Sequence, residues 1–303
     1  MKVNIACLQM ASKPYDWDYN IEKATAMIKE AVNNGADICI LPEVFIPGYS
    51  LTDENFRQAE PLDGPTVSIL KQIAKELNVY ITGSIIEKTK TEFYNTMVFV
   101  GPKGLMGTYH KMNVFSLELK YWKRGNEGTI VNTEFGTIGL GICADMIYPP
   151  LWKQYPGKVD LILICSAWPE SPSGIKLSYT SHFTQLCKDL PIQISKVFHI
   201  PTAYCNACHV GGTWPLNLGF MCCAGLSEIV DRGRVVASAN SRKEQIIQAV
   251  VETSKDRPLV NPIHFKNWIK YPLREKILRL LVEKLAAYYA SFYYRRNKKK
   301  YLD

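Results

Sequence analysis

Along most of this chain, short apolar runs alternate with stretches in which apolar residues recur every three or four positions. Residues 3–9 form the first run, with Val3, Ile5 and Leu8 in a segment too short for a helix, and read as a buried strand. Residues 20–33 set Ile21, Ala24, Met27, Ile28 and Ala31 at helical spacing and stop at Asn33-Asn34-Gly35, a helix with its termination signal. A strand over 37–42 ends in Leu41-Pro42-Glu43, a helix follows over 66–77, and strands over 79–86 and 94–100 lead to Gly101-Pro102. Residues 109–128, dense in charge and aromatic rings, read as a loop.

At Thr137 the alternation starts again. The pattern predicts a strand ending at Cys143, a helical stretch over 149–154, a strand over 159–166, a helix over 174–188, and strands over 201–208, 220–223 and 227–237. Residues 35–41 and 158–164 are near-copies, each a buried strand entered through an aspartate, Asp37 or Asp160. The repeat predicts two pseudo-equivalent halves, with two layers of sheet covered by helices in one domain.

Composition narrows the class. At 303 residues, 47% hydrophobic and 21% charged, the chain is long enough to bury a sizeable core and too apolar to be disordered. The N-terminal run turns polar after Met10, short of a signal-peptide core, and no run approaches the length of a membrane span. The expected location is cytoplasmic. Nine cysteines, an odd number that includes Cys7, Cys39, Cys165 and Cys187 inside apolar runs, fit reduced thiols better than a disulfide framework.

Of the net charge of +8, an excess of seven lies in residues 270–303, where ten Lys or Arg meet three Asp or Glu. The body is near neutral, so the basic balance belongs to the tail and not to a presumed active site, and nucleic acid is disfavoured as a partner. Within the tail Leu273, Ile277, Leu281, Leu285, Tyr288 and Phe292 recur at helical spacing, and the basic residues Arg295 to Lys300 close it. The plainer reading is a helix that packs this stripe on the body or on a dimer mate. The sharper one is a helix at an anionic membrane surface, which would make the protein peripheral there. The chain accordingly divides into a domain over 1–255 and an extension over 256–303.

Candidate chemistry centres on residues 137–150. The apolar run carries Gly139 and Gly141 and stops at Cys143, with Asp145 two residues later and Pro149-Pro150 beyond. A cysteine at a strand exit can be held on a tight turn near backbone N–H groups that stabilise an oxyanion. Taken alone, the stretch fits a core cysteine better. Two further residues stand at or just past strand ends beside Pro, Gly or aromatic residues: Glu43 in Leu-Pro-Glu-Val-Phe-Ile-Pro-Gly-Tyr, and Lys111 in Tyr-His-Lys. Glutamate, lysine and cysteine together suit amide-bond chemistry. The carboxylate shuttles the thiol proton to the leaving amine, and the cation supports the developing negative charge. Singly, Glu and Lys are ordinary surface residues.

These segments, in this order, resemble the nitrilase, or carbon–nitrogen hydrolase, superfamily over residues 1–250. Asn206, Gly225-Leu226-Ser227 and the following Val-Asp-Arg-Gly-Arg-Val extend the match. The resemblance implies an α/β fold, the four-layer αββα sandwich, here with a C-terminal helical extension, and dimers or higher homo-oligomers. It also implies a catalytic triad of Glu43, Lys111 and Cys143 and a second glutamate, Glu118. Tyr49, Ala144, Asp145 and Trp168 are the expected substrate-binding residues. Cys143-Ala144-Asp145 is similar to the amidase and N-carbamoyl hydrolase branch rather than the Cys-Trp-Glu of true nitrilases. The sequence departs from that branch in Ala144, where an aromatic residue is common, and in Met146-Ile147-Tyr148-Pro149-Pro150.

The expected function is hydrolysis of a linear amide or N-carbamoyl amine through a Cys143 thioester. Its alternatives are an amide-forming acyltransferase using the same acyl-enzyme and a catalytically silent binding protein. No cofactor is expected. Cys205-Asn-Ala-Cys208-His209 has haem-attachment spacing, but that chemistry needs export, and a strand turns the two cysteines to opposite faces. His110, His182 and His209 have no partner spacing for a metal, His110 reads as a pocket wall, and Gly211-Gly212 is too short for a phosphate loop.

Overall fold

The computed structural model describes residues 1–170, 178–208, 212–213, 220–257, 260–266, 268–269 and 273–302. The first half runs β1 (Lys2–Gln9), α1 (Trp17–Asn33), β2 (Ile38–Ile40), α2 (Glu54–Arg57), α3 (Pro65–Leu77), β3 (Tyr80–Lys88), β4 (Phe93–Gly101) and β5 (Gly104–His110). The second opens with β6 (Ile130–Thr133), β7 (Gly136–Ile142), α4 (Pro149–Trp152), β8 (Leu161–Ser166), β9 (Pro169–Glu170) and α5 (Ser178–Phe198). It continues through β10 (Thr202–Asn206), β11 (Gly212–Thr213), β12 (Phe220–Cys223), β13 (Glu228–Asp231) and β14 (Arg234–Ser238). β15 (Gln245–Glu252), α6 (Ile263–Lys266) and α7 (Leu273–Asn297) complete the chain.

Helices form where caps and periodicity agree. Asp16 accepts the Tyr19 N–H at the start of α1; Pro65 opens α3, and Asn78 closes it in the left-handed region at φ +51°. β1 shows why the strands are apolar on both faces. Val3, Ile5 and Cys7 enter the core between two sheets, while Ala6 and Leu8 enter a second core under α1 and α3.

The sheets have the orders β15-β1-β2-β3-β4-β5 and β14-β13-β10-β8-β7-β6. They pack face to face, with α1 and α3 outside the first and α5 outside the second, the αββα sandwich. In each sheet three parallel strands are flanked by one antiparallel strand on one side and two on the other. The near-copies fall on β2 and β8, at equivalent places. Their aspartates do the same work: Asp37 Oδ2 accepts the Asn4 N–H of β1, and Asp160 Oδ2 accepts the Thr137 N–H of β7, both at 2.8 Å. Each fixes the register of its strand against a parallel neighbour.

The structure differs from the pattern in several places. β5 takes the start of the expected 109–128 loop, whose middle forms a 3₁₀ turn over Ser116–Lys120. β6 and β15, which the pattern did not mark, are the outermost strands of their sheets and only half-buried, so their apolar signal is weak. Residues 227–237 are a hairpin, turning at Arg232 and Gly233 (φ +50° and +85°) as a two-residue turn between twisted strands requires. α5 continues through Pro191 to Phe198, and residues 174–177 of the expected helix lie outside the described residues. β10 ends at Asn206, so Cys208 lies beyond the strand, donating its thiol to Gln9 O.

α7 forms as a helix but turns a different face inward. Ala287, Ala290, Tyr293 and Tyr294 pack on Val114, Leu119, Phe56, Phe93 and Tyr121, whereas Leu285, Tyr288 and Phe292 of the expected stripe are 72, 80 and 58% exposed. The side chains of Leu273, Ile277 and Leu281 lie outside the described residues. Among those described, no helix is long and apolar enough to cross a membrane.

Candidate active site

Strands from both sheets end at one rim. Leu41-Pro42-Glu43 leaves β2, and Pro42, lacking an N–H, cannot extend the ladder. Glu43 N donates to Ser166 O at the end of β8 (3.3 Å), and Ala167 N donates to Glu43 Oε2 (2.8 Å), so the two equivalent strands are tied together there. Val44 follows at φ +43°, costly for a β-branched residue, and is held by its N–H to Ser84 Oγ at 2.8 Å. Cys143 also stands at φ +43°, the first residue of a 3₁₀ turn, Cys143–Ile147, that begins where β7 stops. Strain of this kind persists where the surroundings over-determine it, as they do at working sites.

Lys111, one residue past β5, joins two carboxylates. Its Nζ lies 2.7 Å from Glu43 Oε1 and 2.9 Å from each oxygen of Glu118, with all three side chains buried. Glu118 sits on the Ser116–Lys120 turn and reaches back to accept Phe115 N (2.7 Å); it also accepts Tyr49 OH (2.8 Å). Glu43 Oε1 accepts a further hydrogen bond from Asn95 Nδ2 at 2.7 Å.

The charges settle accordingly. Burial works against the Lys111 cation, but Glu118 and Glu43 outweigh it and hold the ammonium well above the ordinary lysine range. Burial pushes the Glu118 carboxyl up, and Lys111 only partly offsets that. The Cys143 thiol is driven well above its usual value, first by burial and then by Glu43, against the opposing pull of Lys111 and a hydrogen bond with Ser166. Cys143 therefore rests as a thiol, and reaction at its sulfur requires a base.

Asp145 faces inward. Its carboxylate accepts Ile142 N (3.0 Å), Asn113 N and Nδ2 (2.9 Å each) and Tyr109 OH (2.7 Å), which clamps the cysteine turn to the end of β5. In this structure those four hydrogen bonds anchor the turn. Trp152 Nε1 donates to Asp145 O at 2.6 Å, and Gly141 makes room for that indole, since a Cβ there would lie 2.8 Å from it. Ala144 is buried on the same turn. Tyr49 borders the site, packed near Ala167, Ala207 and Cys223. Trp168 is 1% exposed, within the main hydrophobic core, and its backbone N–H is held by Asn206 Oδ1 at 2.7 Å. Asn206 Nδ2 donates to Gly225 O (2.7 Å), and its N–H donates to Ser227 Oγ (3.0 Å). The matched C-terminal segments thus form one network under the rim.

His110 pairs with Glu87 (2.8 Å) and stacks on Tyr94, with ring centroids 3.9 Å apart. Asn95, Asn113, Tyr109 and the Ala167 N–H were not foreseen. Asn95 is fully buried within β4. Among the described residues no group of three or more His, Cys, Asp or Glu is placed to hold a metal. His209 and Gly211 lie outside the described residues, as does the His182 side chain.

Residues 4–256 match the carbon-nitrogen hydrolase family model, and the chain belongs to that family. It is 27% identical over 270 residues to a probable nitrilase of Schizosaccharomyces pombe, covering 86% of this chain and 92% of that one. It is 33% identical over 174 residues to omega-amidase NIT2-B of Xenopus laevis, covering 54% of this chain and 62% of that one. An amidase from Nesterenkonia sp. has the same fold, with a TM-score of 0.71 at 18% identity over 88% of this chain and 96% of its own. A mutant amidase from Nesterenkonia sp. AN1 (TM-score 0.68, 16% identity, 92% and 97% covered) bears the acetamide moiety of fluoroacetamide covalently on its active-site cysteine.

Proposed function

We propose that the chain hydrolyses the carbon–nitrogen bond of a small linear amide or N-carbamoyl amine through a thioester on Cys143. The observation that carries this reading is the buried Lys111 bridging Glu43 and Glu118, next to a cysteine on a strained turn. Glu43 takes the thiol proton as sulfur bonds to the carbonyl carbon. The carbonyl oxygen becomes an oxyanion, met by the Lys111 ammonium and by N–H groups at the start of the cysteine turn, which have no carbonyl behind them. Collapse breaks the C–N bond, and Glu43 returns the proton to the leaving nitrogen. Water then attacks the thioester, with Glu43 again as base, releasing acid and regenerating the thiol.

In this scheme Glu118 positions and charges Lys111, Asp145 and Asn206 hold the rim, and Tyr49 borders the substrate. Support for amides comes from Cys143-Ala144-Asp145 and from the amidase relatives; a nitrilase name among the relatives is the competing indication. Ammonia release from propionamide and propionitrile, measured side by side, separates them. The proposal expects the amide to react faster, and faster nitrile hydrolysis overturns the branch assignment.

A further inference from the structure

The outward face of α7 is left uncovered. Leu285, Tyr288, Tyr289 and Phe292 recur every three or four residues and so share one side of the helix, where they are 72, 80, 55 and 58% exposed. Large apolar and aromatic side chains grouped outside the fold mark a surface that meets another molecule or phase.

Charge narrows the choice. From Lys284 to Leu302 the chain carries six Lys or Arg and no Asp or Glu. Arg296, Lys299 and Lys300 are exposed at the C-terminal end of the same face. Along its flank, Lys284 and Arg295 join Lys123, Arg124 and Lys298 around a cleft of about 700 Å³. Glu92, the carboxylate in its lining, is already paired with Lys123 at 3.0 Å and Lys298 at 2.6 Å, so the cleft keeps a cationic excess.

We propose that this face docks the protein on an anionic membrane. α7 lies in the headgroup layer, with Leu285 and Phe292 at the acyl boundary, the tyrosines at the interface, and the cations on headgroup phosphates or carboxylates. The inner face of the same helix remains packed on the body, so docking needs no unfolding. A second copy meeting this face with its own would set six cations against six. A single-stranded nucleic acid would use the cations and rings but leave Leu285 unpartnered.

Flotation of the full-length protein with vesicles tests this directly, comparing pure phosphatidylcholine with phosphatidylcholine containing 30% phosphatidylserine. Binding is expected only to the anionic vesicles at 0.1 M salt, with loss at 1 M, where the screening length falls to about 3 Å. The exposed triple variant Arg296→Ala/Lys299→Ala/Lys300→Ala lowers partitioning on the order of 100-fold, about fivefold for each cation. Leu285→Ser/Phe292→Ser lowers it by at least about tenfold. Wild-type protein that stays unbound at 0.1 M salt, or that floats equally with both vesicle types, overturns the proposal. So does a concentration-dependent oligomer in light scattering that Leu285→Ser/Phe292→Ser abolishes, because the face would then belong to a second copy.

Discussion

Replacing Glu118 with glutamine isolates the role of the second carboxylate, because size and shape barely change. Both Glu118 oxygens accept from Lys111 Nζ; one also accepts Tyr49 OH and the other Phe115 N. The NH₂ group settles at the oxygen shared by Lys111 and Tyr49, because the tyrosine hydroxyl can turn and accept from it, so the hydrogen bond lost is one to the Lys111 cation. A hydrogen bond to a charged group is worth about 1.5–3 kcal/mol, so roughly 2 kcal/mol of restraint on Lys111 disappears. If that restraint serves the oxyanion, kcat falls by about tenfold to 10², since 1.36 kcal/mol is tenfold in rate. KM should stay within about threefold, because Lys111 acts on charge that develops only in the transition state. The assay is steady-state ammonia release by Glu118→Gln beside its thermal midpoint. A kcat within threefold of wild type in a folded variant would refute the reasoning and leave Glu118 a packing residue.

Further substitutions probe the same framework. Lys111→Met leaves Glu43 and Glu118 buried without their cation, which should cost about 3–5 kcal/mol of stability as well as turnover; an unchanged denaturation midpoint would contradict the buried pairing. Glu228 is held at a pKa of about 7, chiefly by burial, and its Oε2 lacks a partner. A raised carboxyl pKa means that the folded state holds the proton more tightly, so its contribution is full below about pH 4.5 and is lost as pH rises through about 7. Glu228→Gln should therefore match wild type near pH 4 and exceed its stability by up to about 3 kcal/mol at pH 8, read from urea midpoints across pH. Ala290 is fully buried against Val114 and Leu119, beside Glu118. Ala290→Leu should cost about 1–3 kcal/mol and lower kcat as well. A lowered midpoint with normal kcat would show that α7 does not bear on the turn.

That last contact revises a separation suggested by charge. Because the excess sits in residues 270–303, the tail looked remote from chemistry; Ala287 and Ala290 instead rest on the turn that carries Glu118. The spacing of Leu285, Tyr288 and Phe292 identified a helix and an apolar side but not which side the body covers. α7 is apolar on both, and that choice is made by Phe56, Phe93 and Tyr121, which come from distant elements. The near-copies at Asp37 and Asp160 were legible because an aspartate entering an apolar strand is a local feature repeated at equivalent sheet positions. Glu43, Lys111 and Cys143 could be picked out at strand ends, beside Pro, Gly or aromatic residues. Asn95, Asn113 and Tyr109 could not, because their partners lie 52, 32 and 36 residues away and no local pattern ties them together. Which donors surround the Asp145 carboxylate is likewise decided only by the fold.

The central claim is that Cys143 is the atom-bearing nucleophile rather than a core thiol. Its most direct test is the intact mass of wild-type protein quenched during turnover of an amide, set beside Cys143→Ala under the same conditions, with peptide mapping of any adduct. The account predicts one acyl group on the wild type, located at Cys143, none on the variant, and turnover of the variant reduced by at least about 10³. Ammonia release by Cys143→Ala within tenfold of wild type, or an equal adduct on both proteins, would contradict it.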